Sequence, residues 1–194
     1  MDEYFDINNS GSKFKVFSEF VWEILKVGLI SLAIILPVRY FLIQPFYVKG
    51  ASMEPNFYDH EYLIIDELSY RMADPSRGDI VVFKYPRDPK QYFIKRVIGL
   101  PGERIQISQE KVYVDGKELV ETYLSSGVET SLPLRGYGDV TLGSDEYFLL
   151  GDHRDQSLDS RVFGPVKKDF IVGRTWLRGW PVNRLTVFNS PEYK

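Results

Sequence analysis

The feature that most constrains this chain is a stretch without charge, Val27 to Val38, whose apolar character extends back to Phe20. As a helix, Phe20 to Val38 spans about 28 Å, close to the roughly 30 Å hydrocarbon core of a bilayer. Glu23 and Lys26 sit near one end, within reach of the interface. Trp22 and Tyr40 suit headgroup depth, and Arg39 marks the far end. A buried helix of a soluble protein is the alternative reading, because Val27 to Val38 alone is too short to span. A cleavable leader fits less well: the segment before the run is long, and Leu36-Pro37-Val38-Arg39 is not a small-residue cleavage site. The expected organisation is a cytoplasmic tail over 1–19, a single transmembrane anchor over 20–40 and an extracytoplasmic domain over 41–194. Lys13, Lys15 and Lys26 on the N-terminal flank of the uncharged run barely outnumber Arg39 and Lys49 beyond it, which only leans towards an N-terminus inside.

The remainder has the length of one domain with a real core. The whole chain's 44% hydrophobic and 15% aromatic content excludes a disordered chain. With 24 basic and 27 acidic residues in all, the chain lacks the basic surplus of a nucleic-acid binder, so no nucleic-acid partner is expected. There is no cysteine, which excludes disulfides, thiolate metal sites and cysteine nucleophiles. His60 and His153 are the two histidines, too few for most histidine-based sites.

Beyond the anchor the pattern becomes β. Short aromatic and β-branched runs occur at Phe46-Tyr47-Val48, Tyr62 to Ile65, Ile80 to Phe83, Tyr92-Phe93-Ile94, Tyr147 to Leu150, Ile171-Val172 and Leu185 to Phe188. Lys111 to Val114 leads into Asp115-Gly116, a hairpin signal, and Lys117-Glu118-Leu119 resumes the strand. Ser125 to Asp139 is polar and Gly-rich and reads as an exposed excursion. The fold class is mostly β: one N-terminal transmembrane helix followed by a twisted β-sheet or partly closed barrel.

Three segments carry candidate chemistry. In Val48-Lys49-Gly50-Ala51-Ser52-Met53-Glu54-Pro55, small residues at Gly50 and Ala51 let another backbone approach closely. Ser52 is there either as an ordinary turn serine or as a nucleophile, and a nucleophile needs a base within hydrogen-bond reach. His60, among acids, reads as an exposed loop residue. In Tyr92 to Gly99, strand alternation puts Phe93, Lys95 and Val97 on one face and Ile94, Arg96 and Ile98 on the other. Lys95 is either a snorkelling surface lysine or a buried one whose lowered basicity fits it to act as a general base. Gly151 to Arg161 crowds Asp–Arg pairs and hydroxyls behind an apolar strand, as an exposed charged loop or as a rigid turn held by charge-assisted bonds.

Together these segments resemble the bacterial type I signal peptidases, the membrane-anchored Ser–Lys proteases of peptidase family S26. The resemblance runs from the anchor to the C-terminus. It rests on Gly50 to Pro55, Arg77-Gly78-Asp79-Ile80-Val81, Tyr92 to Gly102 and the Gly151 to Arg161 block.

The resemblance implies a serine endopeptidase that removes signal peptides from exported preproteins at the bacterial cytoplasmic membrane. It would be a single-pass, monomeric protein without metal or other cofactor, preferring small residues at the first and third positions before the cut. Ser52 matches the nucleophile and Lys95 its base. Ser157 matches the serine that orients the lysine, Asp159 and Arg161 a supporting ion pair, and Asp152 the acid opening the block. Phe46, Val48, Phe57, Phe93 and Ile94 match substrate-pocket positions and complete a binding set with Gly50, Ala51 and Met53. Departures are Gly50-Ala51 where Ser-Gly is common, Asn56-Phe57 where Thr-Leu is usual, and His153 and Gln156 in place of asparagines. His153 is not expected to be catalytic. On the residues alone, a tethered peptide-binding domain, an inactive relative and a processing protease with one specialised client stay open.

Overall fold

The computed structural model describes residues 9–41, 44–125 and 127–188, with side chains described over 15–36 and 45–188 apart from residue 126. The chain divides into two units, Met1–Leu42 and Ile43–Lys194.

The first unit is a single α-helix, α1 (Asn9–Phe41). It starts well before Phe20, so much of the expected tail is helical; residues 1–8 lie outside the described ones. Leu29, Ile30, Ile34 and Ile35 are each more than half exposed. Glu23 and Lys26 pair at 2.6 Å, one turn apart. Among the described residues no helix is long and apolar enough to cross a membrane. Glu19, Glu23 and Lys26 interrupt α1 on one side of its apolar run. The side chains of Pro37, Val38, Arg39 and Tyr40, which the expected anchor needs at its other end, lie outside the described residues.

The second unit is built from two antiparallel sheets. Its strands are β1 (Gln44–Tyr47), β2 (Tyr62–Asp66), β3 (Ile80–Tyr85), β4 (Asp88–Gly99), β5 (Arg104–Ser108), β6 (Lys111–Val114), β7 (Lys117–Glu118), β8 (Asp139–Thr141), β9 (Glu146–Leu150), β10 (Val166–Lys167), β11 (Ile171–Trp180) and β12 (Thr186–Val187). The larger sheet runs β1-β2-β11-β3-β4-β9-β10 with β12 added to β11, and the smaller runs β7-β6-β5-β8. The barrel alternative is therefore corrected: β1 and β10 stand at opposite ends of an open sheet and do not pair.

Local sequence accounts for the strands that frame the cleft. Ile80-Val81-Val82-Phe83 is buried throughout, as a central strand between β11 and β4 must be. In β9, Tyr147 and Leu149 face one core with Val81, Phe83 and Val97. Phe148 and Leu150 face another, with Ile98, Ile105 and Ile107, that joins the two sheets. A third cluster, Val48, Met53, Phe57, Leu63 and Ile65, lies under the turn that carries Ser52. Asp115 and Gly116 both take positive φ, 49° and 78°, as the tight β6–β7 hairpin requires.

The excursion over Ser125 to Asp139 is corrected in part. Leu134 is fully exposed, but Thr130 is buried and its N–H donates to the Glu110 carbonyl at 2.8 Å. The Tyr137 N–H donates to the Arg161 carbonyl at 2.8 Å, and Arg161 Nη1 to the Ser131 carbonyl at 3.0 Å. The segment is thus strapped to the acidic block. Trp176 and Trp180 stand 41% and 55% exposed rather than in the core.

Candidate active site

Ser52 lies in the turn between β1 and β2, and the turn is tied down at both ends. The Val48 N–H donates to the Glu61 carbonyl at 2.8 Å and the His60 N–H to the Val48 carbonyl at 3.1 Å. Gly50, at φ 97°, takes a conformation that favours glycine. Its N–H donates to Asp59 Oδ1 at 2.9 Å and holds that carboxyl below the usual carboxylate range. Met53 and Phe57, almost fully buried, root the turn in the core. Among the described residues no protein group accepts from the Ser52 N–H.

Lys95 approaches from β4. Opposite Val81 in the sheet, it is 3% exposed, and its Nζ lies 2.7 Å from Ser52 Oγ and 2.8 Å from the Ile94 carbonyl. Burial penalises the ammonium and pushes its pKa down to about 8, against the upward pull of Asp159 and Asp152; Arg161 adds a smaller downward push. The snorkelling alternative therefore fails: the amine points inward at a hydroxyl. The next residue, Arg96, leaves the strand on the other face, also buried. Its Nε and Nη2 reach the two oxygens of Asp152 at 2.8 and 2.6 Å, and its Nη1 donates to the Gly78 carbonyl at 3.0 Å. The Arg77-Gly78-Asp79 turn thus supports the arginine beside Lys95.

The acidic block is a turn held by charge-assisted bonds, with Asp152, Arg154, Asp159 and Arg161 buried and Asp155, Gln156 and Leu158 exposed. Asp159 accepts from Arg161 Nε and Nη2, both at 2.9 Å, and from the Gly151 N–H at 3.1 Å. Arg154 is buried, pairing with Glu121 and donating to Thr130 Oγ1. The His153 N–H donates to the Ser52 carbonyl at 3.1 Å, and its Nδ1 lies 3.2 Å from the Ala51 carbonyl oxygen. Histidine therefore braces the Ser52 turn through that turn's backbone. Ser157 Oγ is buried without a hydrogen-bond partner among the described residues, so the amine and this hydroxyl are not joined here. Ser157 packs instead against Gly151: a Cβ there would lie 2.1 Å from Ser157 Oγ and 2.5 Å from the Ser52 carbonyl oxygen.

Ser52 and Lys95 open onto a cleft of about 300 Å³. Of the expected substrate-binding set, Phe46, Val48, Gly50, Ala51, Phe93 and Ile94 line it. Met53 and Phe57 do not; their side chains fill the core cluster beneath the turn, a burial that spacing along the chain does not reveal. Tyr92, Leu63, Val82, Gln156 and Leu158 line the cleft in addition. Two strand edges flank it. β1 ends the sheet, and β4 pairs with β9 only from Arg96 onward, leaving Asp88 to Lys95 unpaired on that side. Such edges can take up an extended peptide as an added strand. His60 is exposed and pairs with Asp59 at 2.9 Å, away from this chemistry. Among the described residues no group of three or more histidine or acidic side chains is placed to hold a metal.

Two consequences are measurable. Gly151→Ala forces a methyl between Ser52 and Ser157 and is expected to lower kcat by roughly 100-fold or more in a folded protein; wild-type turnover would show that the turn absorbs the methyl. The second concerns stability. The folded pKa of Lys95, about 8, lies below the ordinary 10.5, so the unfolded chain binds more protons between those values. Stability therefore rises with pH across that window, and the full charge penalty is present below it. Lys95→Met is expected to be more stable than wild type at pH 7 by roughly 1–3 kcal/mol in denaturant unfolding, with the gain shrinking towards pH 10.5. A variant no more stable at pH 7 would contradict the buried charge.

Comparison with known proteins gives a consistent result. A family model described as signal peptidase, peptidase S26, matches residues 21–180. A probable signal peptidase I-2 from Synechocystis is 40% identical over 169 residues, covering 84% of this chain and 75% of its own. The signal peptidase I of Leptolyngbya laminosa is 36% identical over 189 residues, 94% of this chain and 90% of its own. A crystal structure of a signal peptidase I from Enterococcus faecalis is 32% identical, with a TM-score of 0.44, and the match covers 53% of this chain and 97% of that one.

Proposed function

The chain belongs to the S26 signal peptidases, enzymes that remove signal peptides, and we propose that it does so with Ser52 as nucleophile and Lys95 as general base. The observation that carries this reading is the 2.7 Å contact between a buried lysine amine and a serine hydroxyl at the floor of an apolar cleft. A neutral amine at that distance accepts the hydroxyl proton as Ser52 Oγ attacks the scissile carbonyl carbon. The Ser52 N–H donates to the developing oxyanion. Collapse of the tetrahedral adduct breaks the C–N bond, and the Lys95 ammonium returns its proton to the leaving amine. An ester to Ser52 remains, and water deprotonated by Lys95 then releases the signal peptide and restores the hydroxyl.

In this reading Ser157, whose Oγ is buried and without a partner among the described residues, is the serine that orients the Lys95 amine. Asp159–Arg161 and Arg96–Asp152 keep the surroundings in place. The signal peptide lies extended between the free edges of β1 and β4. The Phe46–Tyr92 ring pair, with centroids 5.6 Å apart, narrows the cleft and favours small side chains. In this reading the segment over 20–40 is the anchor in the cytoplasmic membrane, with the peptidase unit on the extracytoplasmic side.

The test uses the full chain in detergent with a peptide bearing an Ala-X-Ala site. Wild type is expected to cut after the second alanine, with kcat/KM falling about tenfold per pH step below roughly 8 as Lys95 takes up a proton. Ser52→Ala and Lys95→Arg are expected to be inert, because a guanidinium does not act as a neutral base. Turnover by Ser52→Ala would remove the nucleophile, and turnover by Lys95→Arg the base.

A further inference from the structure

Asn56 has no part in the steps above, yet it joins the two halves of the site. It stands on the same turn as Ser52, and its Nδ2 donates to Asp152 Oδ2 at 2.8 Å and to the Tyr123 carbonyl at 3.2 Å. Both neighbours are acceptors, so chemistry fixes the amide with its NH2 group towards them. The Asn56 backbone carbonyl accepts from Arg178 Nη2, so the residue is held from behind as well. Asp152 is the carboxylate that grips Arg96 through both oxygens, and Arg96 follows Lys95 directly in β4. The Tyr123 ring lies against the same guanidinium, 3.9 Å from its carbon. One side-chain amide therefore connects the turn bearing the nucleophile to the strand bearing the base, through a buried ion pair.

We propose that Asn56 is a positioning residue that sets Ser52 against Lys95 by tying the nucleophile turn to the Arg96–Asp152 pair. The inference rests on the Ser–Lys reading. The alternative, that Asn56 is a structural filler, makes a different forecast, because the anchor point is charged. The charged groups acting on the Lys95 amine are Asp159 and Asp152, which favour the ammonium, and Arg161, which opposes it. Putting a carboxylate at position 56 removes the donor and adds negative charge beside Asp152. A filler of equal size would leave the protonation of Lys95 alone.

The experiment compares full-length wild type, Asn56→Asp and Asn56→Leu in peptide cleavage across pH, with folding checked by thermal unfolding. Both variants are expected to lose roughly tenfold or more in kcat with KM held within about twofold. In Asn56→Asp the acid limb of the rate profile is expected to move to higher pH by at least about 0.5, and in Asn56→Leu by less. Wild-type kcat in either folded variant overturns the proposal. So does a loss confined to KM, or an acid limb that does not distinguish Asp from Leu. If neither variant folds, Asn56 is a determinant of the fold and the proposal is again overturned. Ser52→Ala run alongside separates the two levels: turnover there defeats the Ser–Lys reading, while an inert Ser52→Ala beside unimpaired Asn56 variants defeats this inference alone.

Discussion

The site depends on the burial of one amine. Lys95 is held where an ammonium is poorly solvated, and a hydroxyl and a carbonyl oxygen are its hydrogen-bond partners. That placement turns an ordinary surface cation into a group able to be neutral near pH 8. A flexible lysine stays in such a place only if its surroundings cannot yield. Around it the buried arginines are bound by carboxylates: Arg96 by Asp152, Arg161 by Asp159, Arg154 by Glu121. Breaking one partner of a buried pair costs about 3–5 kcal/mol, so this frame resists rearrangement.

The sheet supplies the other half of the arrangement. β4 is long enough to act twice. Its C-terminal part, Arg96 to Gly99, pairs with β9 and enters the core, while its N-terminal part keeps one edge free beside the cleft. Strand alternation then sends Lys95 towards Ser52 and Arg96 towards Asp152. The Ser52 turn is fixed from below by Met53 and Phe57 and from the side by His153, whose contacts are to backbone oxygens. Histidine here is a brace, and in the proposed mechanism the proton chemistry falls to lysine.

Much of this was legible along the chain because it follows period-two alternation and short turns. The opposed faces of Lys95 and Arg96, the Asp115-Gly116 hairpin and the apolar strand before Gly151 are local features. The parts that escaped depend on distant pairing. β5 is the exception, a local signal left out of the sequence reading: Ile105 and Ile107 alternate with Arg104, Gln106 and Ser108, the pattern of a half-buried strand. The Ser125 to Asp139 segment looked exposed because its ties are made to residues such as Glu110 and Arg161. Met53 and Phe57 sit next to the nucleophile in sequence but point into the core, whereas Tyr92 and Leu158 reach the cleft without any local mark. Asn56 showed itself only as an unusual residue; its partners, Tyr123 and Asp152, lie far along the chain.

The most direct test of the account is the titration of the Lys95 amine itself. Full-length protein with isotopically labelled lysine can be followed by NMR across alkaline pH, with Lys95→Arg identifying the signal. The account predicts a midpoint of about 8, well under that of an ordinary lysine. A midpoint at or above 10.5 would mean that the amine is solvated or fully paired, and would contradict its role as the base.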